Sequence, residues 1–189
     1  NPNASKPRYI WIDAAANFPD FANSKENITR DLALAKDAGF TDIVVDVRPT
    51  TGDVLFKTNH VDQVKFMYAW IGSNYTKVER TATWDYLQAF VDEARKQGLR
   101  IHAAINTFVG GNQIDGGTGL LYRDQSKAAW ATQMNMQTGI TSVMNTSESA
   151  KFFNPAHPEV QTFLCNLLKD LASYDLDGIF LDRGRFLNL

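Results

Sequence analysis

The chain has 189 residues, 44% hydrophobic and 21% charged, the make-up of a soluble globular domain with a core of its own. A formal net charge of −2, with Lys and Arg scattered, gives no electrostatic case for a nucleic-acid partner. No apolar stretch approaches the roughly 20 residues of a membrane span.

Residues 1–7 are polar and read as a linker ahead of a domain over residues 8–189. They carry no signal peptide, although one removed earlier stays open. A first strand is expected over residues 9–13, where Ile10 and Ile12 alternate with Trp11 and Asp13. Ser24 then suits an N-cap, Ile28, Leu32 and Ala35 follow at helical spacing, and Gly39 is a natural stop. A second strand over residues 43–48 sets Ile43, Val45 and Val47 against Val44, Asp46 and Arg48. Thr83 suits the cap of a second helix carrying Leu87, Phe90, Val91 and Ala94, closed by Gly98.

A third strand over residues 101–106 sets Ile101, Ala103 and Ile105 against His102, Ala104 and Asn106. Residues 126–136 read as a short extra helix after a glycine-rich stretch. A third main helix follows Pro155 and Pro158, with Val160, Phe163, Leu164, Leu167, Leu168 and Leu171 as its core stripe. Cys165, the lone cysteine, falls in that apolar pattern and reads as a buried, inert thiol. The fourth strand, Gly178–Asp182, sets Ile179 and Leu181 against Phe180 and Asp182.

Strand side chains alternate between faces, so one face of each strand is aliphatic. The other carries Asp13, Asp46, Arg48, His102, Asn106 and Asp182 toward the strand C-termini. Strand–helix alternation implies a parallel sheet with right-handed crossovers. The helix-to-strand turns are short, whereas about 34 residues separate Arg48 from the second helix and about 50 separate Asn106 from the third. Long loops on one rim mark the catalytic face of a (β/α)8 TIM barrel. Such a barrel has eight strands and usually about 250 residues, so four strands predict its N-terminal half, with the remaining half as partner. An independent four-strand α/β domain is the alternative.

Asp182 is the foremost candidate for chemistry. A carboxylate ending an apolar strand at the rim can attack a sugar C1 or stabilise an oxocarbenium-like transition state. Arg183 and Arg185 follow it, either keeping it ionised or forming a structural ion pair. Asp46 is the second carboxylate candidate. Arg48 needs an acidic neighbour if it points inward, a role open to Asp46 or Asp13. Asn106 suits a sugar hydroxyl, and His102 is either a substrate contact or a satisfied core histidine. Asp13 and Trp11 are candidates for the floor of a sugar subsite. The loop aromatics Tyr68, Trp70, Tyr75, Phe108, Tyr122 and Trp130 either stack on a pyranose or anchor their loops, with Trp70 named as the substrate-binding candidate. No dinucleotide, P-loop or Gly-x-Ser-x-Gly signature occurs, and His60, His102 and His157 lack zinc spacing. No cofactor is expected, while a divalent ion held by carboxylates stays open.

Four stretches resemble the glycoside hydrolase-like 10 family of bacterial proteins. They are Asp46-Val47-Arg48-Pro49 with Gly52-Asp53, Gly98-Leu99-Arg100-Ile101-His102-Ala103 with Asn106, Phe153-Asn154-Pro155-Ala156-His157-Pro158-Glu159-Val160, and the run from Tyr174 to Arg183. The resemblance implies a TIM barrel acting on polysaccharide or peptidoglycan glycan strands, in a secreted, periplasmic or cell-surface protein. The chain is also distantly similar to the α-amylase superfamily, whose nucleophile ends strand four. Asp182 holds that position, with Phe180 where that superfamily has an arginine. A non-catalytic carbohydrate-binding barrel is the alternative function.

Overall fold

The structure, a computed structural model, describes residues 6–182. They fall into two compact units, one of residues 6–47, 65–104 and 174–180, the other of residues 48–64, 105–173 and 181–182.

The first unit is built on strands β1 (Tyr9–Ile12), β2 (Asp42–Arg48), β5 (Arg100–Asn106) and β10 (Gly178–Asp182), in the order β1-β2-β5-β10. The last residues of β2, β5 and β10 pass into the second unit. β1 and β2 are parallel, with Tyr9 opposite Asp42 and Ile12 opposite Val45. β5 and β10 run the same way. The Arg100 N–H donates to the Thr41 carbonyl where β2 and β5 begin, and the Asn106 amide donates to the Arg48 carbonyl where they end. Likewise the Asp177 N–H donates to Ile101 O at the start of β10, and the Thr107 N–H to Asp182 O at its end.

Short helix α1 (Phe18–Phe21) and helix α2 (Lys25–Asp37) join β1 to β2, and α3 (Tyr86–Gln97) leads into β5. Ser24 caps α2, its hydroxyl accepting from the Asn27 N–H at 3.1 Å. The cap of α3 is Asp85 rather than the expected Thr83, because its carboxylate reaches the Gln88 N–H at 3.1 Å. Gly98 closes α3 at φ +68°, a left-handed turn that favours glycine. Ile28, Leu32, Leu87, Phe90 and Val91 are buried with Ile43, Val45, Ile101 and Ala103, so the helix stripes and the aliphatic strand face fill one core.

The long connections contain strands that the sequence reading left as loop. In the first unit β3 (Phe66–Ile71) and β4 (Asn74–Glu79) form an antiparallel hairpin closed by Gly72-Ser73. In the second, β6 (Val109–Asn112) pairs with β9 (Ala150–Phe152), and β7 (Gln133–Met136) with β8 (Gly139–Ser142), both antiparallel. The helix expected over residues 126–136 is instead a 3-10 turn, Gln125–Trp130, followed by β7. Short helix α4 (Leu120–Arg123) precedes it, and α5 (Pro158–Ala172) buries Val160, Phe163, Leu164, Leu167 and Leu171. Cys165 lies on the opposite side of α5 and is exposed, correcting the expectation of a buried thiol.

The architecture is therefore a mixed α/β one in which the four-stranded sheet does not close into a barrel among the described residues.

Candidate functional site

In the first unit, the strand face opposite the helices carries the chemistry. At its base Asp42 is buried, accepting from Arg100 Nη2 at 2.9 Å and from the Thr41 hydroxyl at 2.6 Å, with His102 Nε2 2.7 Å away. Burial pushes its carboxyl up, but the bonds from Arg100, Thr41 and His102 outweigh it and hold the pKa at about 2. His102 thus sits on a structural carboxylate at the strand starts. Gly178 faces it, and a Cβ there would lie 2.7 Å from His102 Nδ1.

Further along the same face, the Phe180 ring lies 5.5 Å from His102 and 5.5 Å from Trp11, with Tyr9 5.7 Å from His102. These rings are open to solvent: Trp11 is 56% exposed, Tyr9 44% and Phe180 38%. So broad an apolar face uncovered in a folded unit marks a surface built to be covered or to bind.

Toward the strand C-termini, Asp13 Oδ1 accepts the N–H groups of Ala15 and Ala16 at 2.8 and 2.7 Å, which turns the chain into α1. Asp46 is half-buried. Burial, then the charges of Asp46 and Asp13, push the Tyr86 hydroxyl above its ordinary range, with Arg80 opposing. Tyr86 is 1% exposed and its hydroxyl finds no hydrogen-bond partner among the described residues. Sequence reasoning missed it, since a tyrosine opening a helix looks like any core aromatic. Trp70 stands on the open face of the β3–β4 hairpin, 68% exposed, its ring 5.2 Å from Tyr75.

In the second unit Arg48 is fully buried. Its guanidinium donates to the carbonyls of Asn106, Thr107 and Val109, and the Asn106 amide returns a 2.8 Å bond to the Arg48 carbonyl. These carbonyls hold the guanidinium in place, and its charge also acts on the buried Asp53 carboxylate. Asp182 ends β10 with its side chain exposed, and its carbonyl accepts both the Thr107 N–H at 3.3 Å and the Thr107 hydroxyl at 3.1 Å. Arg48, Asn106, Thr107 and Asp182 form one hydrogen-bonded chain. Arg183 and Arg185 lie outside the described residues.

The loop after β2 meets strand β6 backbone to backbone. Gly52 has φ +83°, and a Cβ on it would lie 3.0 Å from the Gly111 nitrogen. Asp53 is buried there, both oxygens 2.9 Å from Arg123 Nη2, while Arg123 Nε pairs with Asp62 at 2.9 Å. Burial raises the Asp53 carboxyl, with Arg123 pulling against it. Among the described residues no three His, Cys, Asp or Glu side chains gather as a metal site.

Residues 6–186 match the family described as glycosyl hydrolase-like 10. The chain belongs to that family. A relative, an S-layer-related protein from Niallia circulans, is 30% identical over 192 residues, covering 98% of this chain and 12% of that protein. The chain therefore spans only a small part of the curated relative it matches.

Among solved structures, this glycosyl hydrolase-like 10 chain is similar to a hypothetical protein from Ruminiclostridium thermocellum ATCC 27405, with TM-score 0.58 and 15% identity over 96% of this chain and 78% of that one. It is also similar to α-L-fucosidase isoenzyme 2 from Paenibacillus thiaminolyticus, with TM-score 0.57 and 17% identity over 94% of this chain and 23% of that one. A GH36 α-galactosidase from Geobacillus stearothermophilus gives TM-score 0.56 and 12% identity over 94% of this chain and 21% of that one. At such identities the likeness speaks to fold alone: this mixed α/β domain resembles part of proteins of the glycoside hydrolase TIM-barrel type.

Proposed function

We propose that this chain supplies the first four strands of a TIM-barrel glycoside hydrolase, with Asp182 as a catalytic carboxylate acting on polysaccharide or peptidoglycan glycan strands. The observation that carries the reading is an exposed carboxylate on the last residue of β10, in a family and fold of glycoside hydrolase type. If the reaction retains configuration, Asp182 is the nucleophile and its acid partner stands about 5–5.5 Å away. Asp46 is the second candidate. Trp11 and Trp70 offer exposed rings for pyranose stacking, and Asn106 and Arg48 support the rim. The open rings of Tyr9 and Phe180 are where the remaining half of a barrel would pack. The S-layer-related relative supports a secreted or cell-surface setting.

The family's description as glycosyl hydrolase-like supports a second reading, a barrel that holds glycan without cleaving it. Reducing-end release from peptidoglycan and neutral polysaccharides, comparing full-length protein with its Asp182→Asn variant, separates the two. The hydrolase reading expects release that the substitution abolishes. Binding with no release by the unsubstituted protein supports the second reading, and release undiminished by the substitution removes Asp182 from the mechanism.

A further inference from the structure

Outside the strand ends, the second unit contains a groove of about 630 Å³, within the size range of small-molecule sites. One wall is the first two turns of α5, where Glu159, Thr162, Phe163 and Asn166 recur at helical spacing on one face. The other wall is the segment from Leu120 to Trp130. Leu120, Trp130 and Phe163 supply its apolar part, and the Trp130 and Phe163 rings pack 5.6 Å apart.

Its charged groups are held in place, each with capacity to spare. Trp130 Nε1 donates to Glu159 Oε2 at 2.9 Å, which fixes that carboxylate through one oxygen. Ser126 donates from its N–H at 3.0 Å and its hydroxyl at 2.6 Å, both to Asp124 Oδ1. The second oxygen of each carboxylate is left for solvent or a ligand. The Lys127 ammonium lies 4.5 Å from the Trp130 ring centroid, a contact that leaves its three N–H donors usable. Asn166 adds an amide with both a donor and an acceptor.

We infer that this groove binds one unit of an uncharged saccharide, separately from Asp182. Two carboxylates stand against one ammonium and the His60 imidazole, which itself lies 3.8 Å from the Asp170 carboxylate, a balance that disfavours anionic sugars. Pre-oriented carboxylate oxygens accept pairs of hydroxyl donors, the ammonium and amide donate to ring and hydroxyl oxygens, and the apolar wall meets C–H faces. The inference rests on the glycan reading of this protein, because that reading selects a saccharide over other small polar ligands.

Calorimetric titration of the full-length protein with maltotetraose, cellotetraose and N-acetylchitotetraose tests it, with tri-galacturonic acid as the anionic probe. At least one neutral probe should bind. Asn166→Ala, and separately Asp124→Asn with Glu159→Gln, should each weaken it about tenfold or more, with the thermal midpoint reporting that the fold survives. Three results overturn the inference: no neutral probe binds below about 10 mM, both groove variants bind like the unsubstituted protein, or the galacturonate binds as tightly. Loss of turnover in Asp182→Asn without groove binding sinks the groove alone, and groove binding with turnover indifferent to Asp182→Asn sinks the catalytic assignment alone.

Discussion

Thr107 donates its backbone N–H and its hydroxyl to the same acceptor, the carbonyl of Asp182, at 3.3 and 3.1 Å. The first bond joins the ends of β5 and β10. The second is an addition that only a hydroxyl-bearing side chain makes, and it restrains the backbone from which the Asp182 carboxylate projects. Thr107→Val keeps shape and loses the second bond. It should cost about 1 kcal/mol in urea unfolding and, on the catalytic role proposed for Asp182, lower kcat more than KM, with Thr107→Ser restoring kcat. Equal kcat in the valine variant would show that the hydroxyl does nothing for the carboxylate.

Arg48 organises the same region from below. A guanidinium at 0% exposure, donating to the carbonyls of Asn106, Thr107 and Val109, ties the end of β5 to the start of β6. Arg48→Met fills much of the volume but strands those carbonyls. A loss of about 3 kcal/mol in urea unfolding is expected. A glycan contact alone would instead leave stability unchanged and alter only binding.

Much of the sheet was legible because its signals are local. Period-2 alternation located β1, β2, β5 and β10 to within a residue or so, and Ser24 and Gly98 marked helix ends with chemistry that works at short range. The hairpins were not legible for a physical reason. Phe66–Ile71 is apolar or aromatic at every position, so it shows no alternation, and its stability comes from cross-strand pairs such as Trp70 with Tyr75. The roles of His102 and Arg48 were hidden for another reason. Parity gives the face a side chain occupies but not what it bonds to, and Asp42 beside His102 and the Asn106 carbonyl on Arg48 each lie more than 50 residues away in sequence.

Cys165 illustrates how one position along a helix changes the outcome. Val160, Phe163, Leu164, Leu167 and Leu171 form the buried stripe of α5 at i, i+3, i+4, i+7 and i+11. Position 165 is five residues from the start of that stripe, about 140° round the helix, and its thiol is exposed. Native protein should therefore react with a thiol reagent such as DTNB to one equivalent without denaturant. Reaction only after unfolding would place the side chain inside.

Gly178 opens β10 against the His102 ring. A Cβ there would come within 2.7 Å of Nδ1, closer than real contacts allow. His102 is held by its 2.7 Å contact with Asp42, so the ring does not swing aside freely. Gly178→Ala should lower stability by about 1–3 kcal/mol, as overpacking does. The double variant Gly178→Ala/His102→Ala should lose less than the two single changes combined, because removing the ring relieves the clash. Strict additivity in urea unfolding would mean that the two positions do not meet.

Asp42 gives the fold an acid dependence whose direction follows from its partners. Burial works against its charge, and Arg100, Thr41 and His102 more than compensate, lowering the folded pKa to about 2. An unfolded aspartate titrates near 3.9. Because the folded value is the lower one, the stabilisation is complete above about pH 4 and disappears as pH falls through about 2. Its size is on the order of 2 kcal/mol. Asp42→Asn should remove that component at neutral pH and flatten the stability profile between about pH 4 and 2. Urea midpoints measured across that range check both statements. A variant profile as steep as that of the unsubstituted protein would assign the acid sensitivity to other carboxylates, such as Asp177, which burial raises but which the Ile101 N–H and Arg95 lower more.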